Sequence, residues 1–489
     1  MKKVLLTLVF AVLSTLAIGQ PLTINYGNEW KKNNVREVND MTFVGEYNNY
    51  TIATTSRYSV LMNYYTKKEC MLLALDKDMN IAKSLVIPES KDDEIIAASI
   101  NNGKAYLLTY HTEKKKESFN RWVVDLESMA VEGTATEIFN YSKERKDNTY
   151  QWVAQTEDNS VTGLVFITTN KKSDKFESKQ FLFDEEMNLE WQREYPLYSV
   201  SQILVTEDGE IVTLGRSGEI EKTPSKIYAT VINDDNAQDV SATANLVVTD
   251  TRLISYSKGK ILMMGMGLNV SNSKDTRYFG ATIDIASGEM NASYRSLSQL
   301  DLNVFNGDNK GRKSDPIAYD AFVMQHCKAT QFGAVGTLQV RWAVQTCNTQ
   351  GACSVKYYQQ GVLLFAINDE GEFLWHYPIR SDYVENGLSM LIGNSLIAKG
   401  DDIYFLQTEH AKWPATYDLT KSMKTLKIHK GSKMIGIYHV APDGTMTKTK
   451  EQLTKKTVLV GKAKSFNNSY IGFLSKGKGV TPIELKIEN

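Results

Sequence analysis

Cysteine is scarce: four occur in 489 residues, too few to staple a chain of this size. A basic surplus is also missing. Lysine and arginine number 56 against 57 aspartates and glutamates, which argues against a nucleic-acid partner. The six histidines (His111, His326, His376, His410, His429 and His439) include no pair spaced i, i+4, so no metal site is expected. There is no His-Glu-x-x-His, no Gly-x-Ser-x-Gly and no phosphate-cradling loop. No catalytic residue and no cofactor follow from the sequence. Helical periodicity is almost absent, and after the first twenty positions no apolar run reaches the ~18 residues of a membrane span. No transmembrane anchor is expected.

What is present begins with a segment shaped like a secretory signal. Lys2 and Lys3 precede an apolar run from Val4 to Ile18, and Ala17 and Gly19 are small residues placed for cleavage before Gln20. Residues 1–19 are expected to be a signal peptide. Residues 20–489 then form the mature domain, exported to a periplasm, cell surface or medium.

The mature chain is a repeat. Phe181-Leu182-Phe183-Asp184 runs through an acidic turn to Trp191 and Tyr195-Pro196. Leu363 to Asn368 does the same, reaching Trp375 and Tyr377-Pro378, and Leu72 to Asp76 leads on to Pro88. Weaker copies lie at Asp125, Asp234, Asp284 and Asp443. The Asp side chain is expected to accept bonds from backbone N–H groups two residues on, with Asn80, Asn188, Gly288, Gly371 and Gly444 taking the positive φ. Between these units lie apolar hairpins with Asn, Asp or Gly at their tips, such as Asn101-Asn102-Gly103 and Asp208-Gly209. The first of them is read as Tyr50–Ser56 turning into Tyr58–Tyr65. Each of the first seven hairpins plus its acidic-turn unit makes four antiparallel strands, a to d, at the period of a propeller blade.

The fold expected is therefore all-β, a single β-propeller of four-stranded antiparallel blades. Eight blades are counted, with seven the alternative if one hairpin is misassigned. The eighth hairpin is followed by only one more strand, Val480–Ile487, so an N-terminal strand within residues 22–48 is expected to complete that blade and close the ring.

Nearly all the long connections join b to c or d to a, and the largest fall in blades five to seven. Those assigned as long are 111–120, 169–178, 216–226, 269–277, 345–356 and 409–432 among the first kind, and 299–317 among the second. Loops carry function more often than scaffold strands, so this face is the expected binding face. On it, His410, Trp413 and Tyr417 form the most site-like stretch, with Trp342, Tyr357 and Tyr358 on the neighbouring insertion. Tryptophan and tyrosine offer flat apolar area with a polar handle.

The stretch Phe365–Trp375 resembles the tryptophan-docking repeat of the pyrroloquinoline-quinone dehydrogenases, with Gly371 and Trp375 at the right interval. Ile367 occupies that repeat's Asp slot, only Trp191 and Trp375 fill the Trp position, and there is no adjacent Cys-Cys pair. The resemblance implies a similar blade and not the cofactor. Signal and repeat together resemble uncharacterised exported bacterial β-propeller proteins. The function expected is non-enzymatic binding of a protein or glycan at the cell envelope. The alternatives are a polysaccharide-acting hydrolase or lyase with carboxylates at the central opening, and a structural component of an envelope assembly.

Cys347 and Cys353 flank the turn-rich Asn-Thr-Gln-Gly-Ala and are expected to form a disulfide. Non-reducing peptide mapping of the secreted protein should find the two peptides linked; recovery of both as alkylated thiols refutes the pairing.

Overall fold

The structure is a computed structural model that describes residues 22–30, 40–61, 64–88, 93–143, 148–169, 176–217, 223–298, 301, 322–347, 353–386, 394–413, 433–452, 458–466, 469–476 and 479–487. Its eight antiparallel blades follow one another as an eight-bladed β-propeller. Strand β1 (Leu22–Tyr26) stands apart from the first blade, which is β2 (Thr42–Tyr47), β3 (Tyr50–Leu61), β4 (Tyr64–Leu75) and β5 (Ile81–Val86). Blade two is β6 (Asp93–Asn101), β7 (Lys104–Thr112), β8 (Lys116–Asp125) and β10 (Thr136–Ser142), with the short β9 (Ala130–Val131) also on β8. Blade three is β11 (Asn148–Gln155), β12 (Thr162–Thr169), β13 (Glu177–Phe183) and β14 (Leu189–Glu194). Blade four is β15 (Gln202–Val205), β16 (Ile211–Arg216), β17 (Lys226–Ile232) and β18 (Ala237–Thr243). Blade five is β19 (Leu246–Ser257), β20 (Lys260–Asn269), β21 (Asn272–Asp284) and β22 (Met290–Ser296). Blade six is β23 (Phe322–Thr330), β24 (Gly333–Cys347), β25 (Cys353–Asn368) and β26 (Phe373–Asn386). Blade seven is β27 (Asn394–Lys399), β28 (Asp402–His410), β29 (Lys433–Val440) and β30 (Met446–Gln452). Blade eight is β31 (Val458–Phe466), β32 (Ser469–Lys476) and β33 (Gly479–Ile487), completed by β1.

The chain divides into two compact units. One holds Arg36–Leu297 with the hairpin tip Asn368–Phe373. The other holds Met1–Val35, Ser298–Ile367 and Leu374–Asn489.

Closure is direct. β1 pairs antiparallel with β33, Leu22 opposite Ile487 and Tyr26 opposite Ile483, and Trp30 adds a further bridge to Val480. Leu22 and Ile24 pack against a core shared by blades seven and eight that includes Tyr404, Leu406, Leu459, Leu474 and Leu485. The unpaired edge of β33 is thereby covered.

The first blade is built differently from the expectation. Tyr50–Leu61 is one strand and not a hairpin, and strand a is Thr42–Tyr47. The turn between them is Asn48-Asn49, with φ of 46° and 65°. The register shift between Arg57 and Tyr58 is a bulge within the β3–β4 ladder, absorbed without a reversal.

The acidic turns also differ in detail. Asp76 Oδ1 accepts the backbone N–H groups of Asp78 (2.9 Å) and Asn80 (2.8 Å), and Asp184 treats Glu186 and Asn188 alike at 2.9 and 2.8 Å. The positive φ falls on Met79 (60°) and Met187 (56°), not on Asn80 and Asn188. The two asparagines instead return their side-chain amides to the same carboxylates. In blades four and six the turn residue is Asn233 and Asn368, one place before Asp234 and Asp369, the acids expected to make it. An amide oxygen accepts the same N–H bonds as a carboxylate oxygen. Gly288, Gly371 and Gly444 hold the positive φ expected of them.

These turns are docking points. Trp375 lies against the turn of the next blade, where a Cβ on Gly444 would stand 3.1 Å from its ring, and the Tyr377 hydroxyl donates to the Gly444 carbonyl. In blade three Trp191 and Tyr195 join the core shared with blade four, and the Tyr195 hydroxyl donates to Asp239 at 2.9 Å.

Deleting residues 20–30 should lower the thermal midpoint by several degrees in a single cooperative transition, followed by circular dichroism. An unchanged midpoint would remove β1 from the closure.

Candidate functional site

In β28 to β30 the register aligns two rows on one face of blade seven. Phe405 stands opposite Tyr438 and Tyr438 opposite Lys448; Gln407 stands opposite Gly436 and Gly436 opposite Lys450. The first part of this face is apolar. Leu396, Ile403, Phe405, Tyr438 and Val440 pack on Val335, Val362, Leu364 and Ile379 of blade six. Toward the b–c end it turns polar while remaining buried.

Glu409 is the centre of that polar end and is completely buried. Its Oε1 accepts from the Tyr438 hydroxyl and from Gln407 Nε2 at 3.2 Å. Its Oε2 lies 2.9 Å from Lys448 Nζ and 3.8 Å from Lys450 Nζ. Both are ion contacts. The lysine side chains are only 3% and 6% exposed. Lys448 also lies over the Tyr438 ring, 4.8 Å from its centroid. Gln407 Nε2 ties the group to blade six through the Arg380 carbonyl at 2.9 Å.

Gly436 makes the arrangement possible. A Cβ there would stand 2.4 Å from Glu409 Cδ, so only glycine leaves the carboxylate room to lie across the sheet toward the lysines. Burying charges is costly unless they are paired, and an aliphatic face would serve stability as well or better.

Glu409 and His410 end strand β28, and Ala411-Lys412-Trp413 turn away from it. The Trp413 N–H donates to the His410 carbonyl at 3.0 Å, and the Lys412 N–H donates to His410 Nδ1 at 3.1 Å. Lys450 Nζ donates to the Trp413 carbonyl. Trp413 is 4% exposed, and its indole N–H is buried without a hydrogen-bond partner among the described residues. Burial lowers the pKa of Lys450, opposed by the Glu409 charge and reinforced by Lys448.

The structure thus brings His410 and Trp413 together with residues the sequence did not single out: Gln407, Glu409, Gly436, Tyr438, Lys448 and Lys450. The one sequence signal was Lys448-Thr449-Lys450, which reads as an outer strand facing solvent. Tyr417 lies outside the described residues. Trp342 lies within β24, and Tyr357 and Tyr358 within β25, with side chains outside the described set, as are those of Cys347 and Cys353. Cys70 is a buried thiol donating to the Asp93 carbonyl, and Cys327 is half-buried.

Two of the b–c connections assigned as long are tight. Only residues 113–115 join β7 to β8, and only 270–271 join β20 to β21. The polar residues that read as loop, such as Lys116 to Asn120 and Asn272 to Thr276, continue the strands instead.

A second buried carboxylate gives a comparison. Glu117 of β8 is 2% exposed and accepts from Lys143 Nζ at 3.1 Å and the Thr149 hydroxyl at 2.6 Å. The Tyr110 hydroxyl beside it is pushed up to about 12 by burial and by the Glu117 charge. Glu117 faces one lysine, whereas Glu409 faces two. Among the described residues no group of three His, Cys, Asp or Glu is placed to hold a metal ion, and no helix is long and apolar enough to cross a membrane.

No family model matches the sequence, and no curated protein matches it. Among solved structures, the chain is similar to the WD40 domain of SCAP from fission yeast, at 8% identity and a TM-score of 0.40 over 96% of this chain and 98% of that one. It is similar to the Dos1 propeller at 8% identity and 0.39 over 94% and 95%, and to the polysaccharide lyase Uly1 at 11% and 0.35 over 82% and 94%.

The His410 ring titrates below the ordinary histidine range, through burial first and then through Lys412 and Lys450. The unfolded chain therefore takes the proton more readily. The stability His410 contributes is complete above its ordinary value near 6.5 and is lost as pH falls through the window below it. The thermal midpoint should drop between about pH 7.5 and 5.5, and His410→Gln should flatten that drop. An identical slope in the variant would place the titration elsewhere.

Proposed function

We propose that this β-propeller is an exported, non-enzymatic binding protein that engages a protein or glycan at the cell envelope through its b–c/d–a face. The observation that carries the reading is the polar corner of blade seven. A buried carboxylate, two buried lysines and a tryptophan whose indole N–H lacks an acceptor are gathered beside one connection at that end of the sheet. A buried polar group without a partner calls for an explanation, and a ligand that offers an acceptor to the indole N–H is one. The rest of the blade explains how they are held: β28 and β29 are anchored on blade six by an aliphatic core, so the corner is presented on a rigid base. The signal-like N-terminal segment supports export and an envelope partner.

The test is capture from an envelope extract of the protein's own cells, using tagged wild-type and Trp413→Ala chains. The wild type should retain a stoichiometric partner that the variant loses, with both chains giving the same all-β circular dichroism at the capture temperature, although loss of a buried indole lowers the variant's melting point. Equal retention by both removes the blade-seven corner as the binding site. Turnover of a polysaccharide by the wild type would replace binding with catalysis.

A further inference from the structure

We infer that the blade-seven corner receives an acidic saccharide, with a carboxylate or sulfate group on Lys450 and Lys448 and the sugar ring against Trp413. The inference rests on the binding reading above and names the ligand class.

The charge balance of the corner points this way. Glu409 Oε1 is already engaged by Tyr438 and Gln407, so Oε2 alone serves two ammonium groups, at 2.9 and 3.8 Å. The hydrogen-bond acceptor of Lys450 is a neutral carbonyl, that of Trp413. At Glu117, by contrast, one carboxylate meets one lysine, and the Thr149 hydroxyl shares the same oxygen. Among the described residues Lys450 is therefore a buried cation that shares its one counter-charge with Lys448, and an anionic oxygen in place of the carbonyl would bring a second opposite charge to a bond that the ammonium already charge-assists.

The position of that carbonyl decides what else the ligand touches. It belongs to Trp413, so an anion that takes over Lys450 releases the Ala411–Trp413 turn from the sheet. That turn otherwise holds by the two bonds to His410, one to its carbonyl and one to its ring. The Trp413 indole N–H, buried without an acceptor, then meets an oxygen-rich neighbour. A ligand that satisfies both needs carries a negative group, further oxygen acceptors close to it and a flat apolar face for the indole. A uronate or sulfated sugar ring has all three within one residue. An acidic peptide supplies the charge on a separate flexible side chain, without the flat face.

The experiment is calorimetric titration of the full mature chain with four probes: a galacturonate tetrasaccharide, a heparin-derived sulfated tetrasaccharide, neutral cellotetraose and a hexaglutamate peptide. At least one acidic tetrasaccharide should bind at least about tenfold more tightly than cellotetraose and weaken as salt is added; the stronger of the two distinguishes carboxylate from sulfate. Lys450→Gln should reduce that affinity by about tenfold or more, and Lys450→Arg should retain most of it. Equal binding of the acidic and neutral tetrasaccharides overturns the inference, as does binding to neither. These comparisons need only the wild type, so they hold even where Lys450→Gln fails to fold. Preference for hexaglutamate would replace the saccharide with an acidic protein segment. If any of these results is accompanied by continued loss of the captured partner in Trp413→Ala, the binding role stands and only the ligand class falls.

Discussion

No blade of this protein can bury its own two faces. The middle strands are apolar on both sides: Leu164 to Ile167 in β12 and Leu262 to Met264 in β20 are buried without interruption, while outer strands such as Leu189–Glu194 alternate toward solvent. Each of three cores is shared between consecutive blades, one and two around Leu72 and Leu107, two and three around Phe119 and Phe166, six and seven around Leu364 and Phe405. The repeat exists because of this dependence, since a single unit would leave one large apolar face in water. The tryptophan and tyrosine of β26 extend the same contact to the turn of the next blade, while Trp191 and Tyr195 pack on the core shared with blade four, Tyr195 reaching Asp239 of β18.

Against that constraint the polar end of blade seven stands out physically. The face is one that the fold uses for apolar burial, yet it ends in glutamine, glutamate and two lysines. The glycine opposite Gln407 is what lets the carboxylate lie flat between the strands. An aliphatic replacement would remove the desolvation cost, so stability alone does not call for charges at this end of the face. Glu117 shows that the fold accommodates a buried carboxylate with a single matching lysine. The two-lysine arrangement at Glu409 is a different solution, with charge left over.

The blade period, the count of eight and the missing strand at the C-terminus were legible because they rest on alternation and turn residues, which are local. Two local rules misled. Arg57 looked like a break, but a bulge carried the strand through it. The positive φ of the first and third acidic turns was assigned to asparagine, whereas Met79 and Met187 adopt it and are themselves buried, so packing overrides backbone preference there. The Trp413 stretch was visible from its aromatic content. Lys448 and Lys450 were not, because polar residues alternating on an outer strand normally face water. Only the register across β28, β29 and β30, and the absence of a side chain at position 436, turns them inward.

The pairing of β1 with β33 has a consequence for the order of events in folding. Asn25 donates to Glu484 at 3.3 Å across a sequence separation of 459 residues. β1 is synthesised long before β33, its partner, and ideal-chain scaling puts the entropic cost of that loop at about 5 kcal/mol if nothing else has formed. Prior assembly of the intervening blades shortens the effective loop to a gap between neighbours. Until β33 forms, β1 and β32 each keep an unsatisfied edge, and a chain interrupted before it exposes a ready template for strand addition by another copy. Formation of β33 therefore decides whether blade eight has a covered edge.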